Sequence, residues 1–215
     1  MFGKAKEEWE GLTGVYTATE IMQQPSTWKK TVKQIKEDKE NIKAFLDKVL
    51  SCDDYDIILT GAGTSEYVGN SVFPYLNDKY DFKVKSYATT DLVNSPTKYL
   101  SKTKPTLLVS YGRSGDSPES VGALKVANAV CENIYHLAIT CNKDGALSKY
   151  AEKEENAYAI DLTPETLDKS FAMTSSYTNM MLATVLCFQL DKLDEIEKYV
   201  NEICDSTNYT LENDW

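Results

Sequence analysis

Between residues 55 and 193 the chain alternates short apolar runs with longer amphipathic ones, and this rhythm constrains the fold more than any other feature. "YDIILTG", "KVKSYAT", "TLLVSYG", "YHLAITC" and "NAYAIDL" read as strands. "SEYVGNSVFPYLND", residues 117–132, "GALSKYAE" and "SYTNMMLATVLCFQLDKL" read as the helices between and after them. Most of the strands are continuous apolar runs, as expected where both faces of a sheet are covered. Strand–helix alternation of this kind calls for parallel pairing through right-handed crossovers. The expectation is an α/β fold: a three-layer doubly wound sandwich around a five-stranded parallel sheet.

Helices should precede that sheet. "TATEIMQQ" forms a short one. From Pro25 and Ser26 the spacing of Trp28, Val32, Ile35, Ile42, Phe45, Leu46 and Val49 predicts a single amphipathic helix to about residue 50. The tail from about residue 196 starts helical and turns polar and acidic. The expected organisation is therefore a helical extension over 1–50, the α/β domain over 51–195, and a helix end with an acidic linker over 196–215.

Composition narrows the partners. The 215 residues carry a formal net charge of −10 with 26% charged and 42% hydrophobic residues. That is a globular composition, and it lacks the clustered basic residues that a phosphate backbone demands, which argues against nucleic acid. No run reaches the ~20 apolar residues of a membrane span, and "MFGKAKEEWEGL" has no apolar signal-peptide core, so no membrane partner is expected. Cys52, Cys131, Cys141, Cys187 and Cys204 are scattered without a C-x-x-C pair. This usage suits a reducing cytoplasm and provides no metal-ligand spacing. The "NYT" at Asn208 would acquire meaning only on secretion.

Two strand-to-helix junctions carry unusual chemistry, at the strand ends where doubly wound sheets bind ligands. In "TGAGTSEY", Gly61 and Gly63 allow close backbone approach, while Thr64 and Ser65 place hydroxyls at a helix start. In "SYGRSGDSPES", Gly112 and Gly115 permit unusual backbone angles, Ser114 and Ser117 supply hydroxyls, and Pro118 suits a first helical position. Each loop is either a turn with a helix cap or a cradle for an anion, since unpaired N–H groups and the helix dipole favour negative charge. Their pairing favours the cradle. A dinucleotide is excluded as cofactor: Glu66 replaces the third glycine of G-x-G-x-x-G, no acid ends the second strand, and no Gly-Lys-Ser/Thr motif is present. A small phosphorylated metabolite needing no cofactor or metal fits better. "DKSFAMTSSYTNMM" adds Thr174, Ser175, Ser176 and Thr178 at the last long helix, as caps or as a third wall.

Together these segments resemble the SIS (sugar isomerase) domain family of phosphosugar-binding proteins. "GAGTSE" is similar to its G-x-G-T-S loop and "SYGRSGDSPES" to its S-x-S-G-[DE]-[ST] loop. "LAITCNKDGALSKYAE" is similar to its I-T-x-N-x-x-S-x-L-A segment, with Gly145 where serine is usual, and "AMTSSYT" stands at its A-S-T-K-x-[FY]-T segment. "GVYTATEIMQQPSTW" resembles the tagatose-6-phosphate ketose/aldose isomerase branch, also described as galactosamine-6-phosphate deaminase/isomerases. The resemblance implies phosphate contacts from Ser65, Ser114 and Ser117, supported by Gly63, Thr64, Gly115 and Ser175. Arg113 replaces a polar residue, and either contributes charge to the phosphate or points into solvent. Ser175 stands where many members carry lysine.

Isomerisation between C1 and C2 needs a general base, and ring opening a further acid/base group. The only histidine, His136, lies within a predicted strand, where a structural role is the commoner one. Glu66, Asp116, Glu119 and Asp168 are the carboxylates near the loops, and Glu66 and Glu119 occupy first helical turns where the dipole favours acids regardless of function. None stands out as a base. The resemblance implies why: members of this branch carry two SIS domains in tandem, with the catalytic Glu and His in the second. The expectation is an N-terminal half that binds sugar phosphate and pairs with a second SIS domain or a second copy of itself. The alternatives are a non-catalytic phosphosugar sensor and a complete single-domain isomerase acting as a dimer.

Overall fold

The computed structural model describes residues 1–213. Four helices open the chain: α1 (Lys6–Gly11), α2 (Val15–Met22), α3 (Gln24–Glu37) and α4 (Lys39–Leu50). The α/β body follows as β1 (Asp56–Gly61), α5 (Thr64–Lys79), β2 (Val84–Ala88), α6 (Thr89–Asn94), α7 (Pro96–Tyr99), β3 (Thr106–Gly112), α8 (Pro118–Val130), β4 (Ile134–Thr140), α9 (Ala146–Ala151), β5 (Ala157–Asp161) and α10 (Ser175–Cys187). A last helix, α11 (Leu193–Asn213), completes the described chain.

All five strands are parallel, in the order β2-β1-β3-β4-β5. β1 and β3 are buried along their whole length, as their unbroken apolar runs require. Alternation along them splits the core. Ile57, Leu59, Leu107, Val109, Tyr111, Leu137 and Ile139 join the face covered by α3, α4, α5 and α10. Ile58 and Leu108 turn to the opposite face, against Leu92 of α6 and Ala123 and Ala127 of α8. Each fully buried Leu or Ile of this kind contributes about 1.5–3 kcal/mol. The result is the expected three-layer sandwich.

The structure differs from the sequence reading in two places. The long helix expected over 26–50 breaks at Asp38 (φ −101°, ψ 9°). Its carboxylate accepts from Tyr158 of β5 and from Asn41 Nδ2 (2.8 Å), which pins the bend to the sheet. At the other end α11 is helical through Asn213, well into the segment expected as linker, whose last two residues lie outside the described ones.

The topology also fixes where a ligand belongs. From β1 the chain crosses to β2 on one side and then returns to β3 on the other. The loops leaving β1 and β3 therefore diverge, and a crevice opens beyond their carboxyl ends.

Candidate functional site

A cleft of about 190 Å³ occupies that crevice, walled by Ala62, Ser65, Tyr111, Gly112, Arg113, Ser114, Gly115, Ser117, Ser120 and Met173. The register sets Gly61 beside Tyr111, so both predicted loops begin at the same level of the sheet. Tyr111 is fully buried, its hydroxyl accepts from Thr184 Oγ1 (3.2 Å), and burial pushes its phenol up.

The second loop reconciles cap and cradle. Ser117 is the N-cap of α8, with Pro118 in the first turn; its Oγ accepts from Ser120 N (3.2 Å) and donates to Ser120 Oγ (2.7 Å). The hydroxyl hydrogen that remains free belongs to Ser120, a wall residue the sequence reading missed. The S-x-x-S spacing of 117 and 120 was its signal. Ser114 Oγ accepts from Asp116 N (3.3 Å), which leaves its O–H as a donor. Gly115 has φ +69°, and a Cβ there would stand 3.0 Å from Thr140 Oγ1. Asp116 Oδ1 accepts from Ala146 N (2.8 Å), and Asn142 Nδ2 donates to Ser114 O (2.9 Å), so the β4–α9 loop braces this turn. The brace also explains Gly145: a Cβ there would meet Ser114 O at 2.3 Å.

From the first loop, Ser65 is buried, and among the described residues its hydroxyl has only the weak sulfur acceptor of Met173 at 3.9 Å. Gly63 and Thr64 lie between wall residues Ala62 and Ser65 but are not part of the wall. Ser175 is placed elsewhere. It is fully buried, its Oγ donates to Glu20 O (2.7 Å) and accepts from Gln23 Nε2 (2.8 Å), so it ties α10 to the N-terminal helices.

Arg113, the chain's one arginine, is the charged member of the wall. Its Nη1 donates to Ser170 O (2.8 Å) and Phe171 O (3.4 Å). Nε and Nη2 have no protein partner among the described residues. A guanidinium without a carboxylate partner, beside three hydroxyl groups and the N-terminus of the 13-residue α8, suits an oxyanion such as phosphate.

Among the described residues no carboxylate or imidazole belongs to the wall. Asp168 spends Oδ2 on Thr174 N, Ser176 N and Ser176 Oγ, capping α10. Glu66 takes only a long 3.4 Å bond from Asn70, and Glu119 points outward. His136 is 2% exposed, bonded through Nε2 to Asn128 Oδ1 (3.1 Å) and edge-on to Tyr150. Desolvation lowers its pKa to about 4, a structural imidazole near the start of β4. Three or more His, Cys, Asp or Glu side chains that could hold a metal do not cluster among the described residues.

Known proteins share this architecture. The SIS domain profile matches residues 50–190. The D-galactosamine-6-phosphate deaminase AgaS of Shewanella sp. (strain ANA-3) is 46% identical over 176 residues, covering 80% of this chain and 45% of that protein. The structure of tagatose-6-phosphate ketose/aldose isomerase from Escherichia coli superposes with TM-score 0.88 at 38% identity, covering 94% of this chain and 54% of that one. A Clostridium novyi NT protein, solved as a candidate enzyme of the same name, superposes with TM-score 0.96 at 41% identity over 99% of this chain and 54% of that one. The chain thus spans about half the length of these relatives. On the family profile, the identities and the shared fold, it belongs to the SIS domain family.

Proposed function

We propose that this domain binds the phosphate of an amino-sugar or ketose 6-phosphate, of the galactosamine-6-phosphate and tagatose-6-phosphate class, in the cleft between β1 and β3. One observation carries the reading: the free donors of Ser114, Ser120 and Arg113 and the weakly engaged hydroxyl of Ser65 line one cleft at the topological switch point with no acid among them. Each charge-assisted bond to a phosphate oxygen contributes about 1.5–3 kcal/mol. Among the described residues the wall holds no carboxylate or imidazole that could move a proton between carbons. Proton transfer for isomerisation or deamination then falls to groups beyond this wall, supplied by a second SIS domain or another copy. This domain anchors the substrate and contributes little turnover by itself. A reducing cytoplasm suits five unpaired thiols, with burial pushing Cys141 and Cys187 up to about 12.

Calorimetric titration with galactosamine 6-phosphate and with galactosamine tests this. The phosphorylated sugar should bind and the free sugar should not, and Ser114→Ala should weaken binding about tenfold. Equal binding of both sugars, or rapid turnover by this chain alone, would overturn the reading.

A further inference from the structure

The segment Lys169–Thr174 crosses beside the cleft as a strap, contributing Met173 to the wall and two carbonyls to Arg113. Apolar packing reaches it only at Met173, which lies against the core, while the Phe171 side chain is 100% exposed. Carboxylates hold the two ends. At its far end Asp168 Oδ2 accepts from Thr174 N (2.8 Å). At its near end Glu20 of α2, only 5% exposed, accepts from Lys169 N (2.5 Å), from Ser170 N (3.1 Å) and from the Ser170 hydroxyl. No lysine or arginine pairs with Glu20 among the described residues, so this buried charge is compensated by strap donors. Glu20 also lies outside the span of the family profile, 50–190.

The geometry points to Glu20 as a positioning residue: by fixing Ser170 it aims the carbonyls that orient the Arg113 guanidinium, and so sets the affinity of the cleft for phosphate. This rests on the phosphate reading above. Two of the five guanidinium donors are spent on the strap, which turns the remaining three in a fixed direction. If the strap slackens, the charge stays but its aim is lost. The helical extension would then be part of the binding machinery and not only a cover for the sheet.

A double-mutant cycle of Glu20→Ala and Arg113→Ala, read by calorimetric titration of galactosamine 6-phosphate, tests the inference. Each single variant should weaken binding about tenfold, and the double variant should bind no more weakly than Arg113→Ala. A purely structural role for Glu20 would weaken binding equally in both backgrounds and would overturn the inference, as would a Glu20→Ala protein with wild-type affinity. If circular dichroism shows Glu20→Ala unfolded, Glu20→Asp, which keeps the charge and shortens its reach, enters the cycle under the same criteria. Ser114→Ala separates the two claims. Undiminished binding in that variant counts against the hydroxyl cradle, while the Glu20–Arg113 coupling still decides the strap.

Discussion

His136 shows how much one residue's surroundings decide. The sequence offers a lone histidine in an enzyme-like fold, but the structure buries it behind Asn128 and Tyr150. Desolvation lowers its pKa from 6.5 to about 4. Between those values the unfolded chain binds a proton that the folded chain refuses. Its contribution to stability is therefore complete above pH 6.5 and declines as pH falls towards 4, by an amount of the order of 3 kcal/mol. Urea unfolding at pH 7.0 and 5.0 should show about 2 kcal/mol of this loss, and His136→Gln should flatten it. An equal loss in the variant would mean that other groups carry the acid sensitivity.

Among the elements, strand-to-helix turns matter most. Gly115 is forced by its φ of +69° and by Thr140 Oγ1. Gly115→Ala should cost about 1–2 kcal/mol of stability in urea unfolding and weaken binding of galactosamine 6-phosphate. Unchanged midpoint and affinity would show that the turn relaxes freely. The strands were legible because a sheet covered on both faces leaves apolar runs such as "DIILTG" and "TLLVSYG". The bend at Asp38 was not, because its cause is Tyr158, 120 residues away. α6 and α7, in the polar stretch "TTDLVNSPTKY", carry too little periodicity to show. In the site, hydroxyls and glycines on one turn were readable from local spacing. The segment "DKSFAMTSSYTNMM" was readable as caps or a third wall, but which of its residues faces the cleft was not, nor was the brace from Glu20: tertiary folding brings Met173 to the wall and turns Ser175 away.

For the whole molecule, the outer face of the α10–α11 pair bears on assembly. Trp28, Met181, Leu182, Val200 and Ile203 line an apolar groove of about 200 Å³, and Ile203 is 54% exposed. Such a surface fits the pairing with a second SIS domain or another copy that the proposed function requires. Sedimentation velocity should find an associated species for the unmodified chain, and Ile203→Glu should shift it towards monomer without lowering the melting temperature. A monomer in both cases would remove this face as a self-contact.

The packing of α2 and α3 against segments late in the chain also bears on how the protein is made. Trp28 bonds to Thr178 and Lys169 to Glu20, pairs separated by 150 and 149 residues. At the roughly 5–20 residues per second of synthesis, the first helices leave the ribosome about 8–30 s before their partners exist. Their apolar faces stay uncovered through that interval, which makes α2 and α3 segments that a chaperone would shield during synthesis.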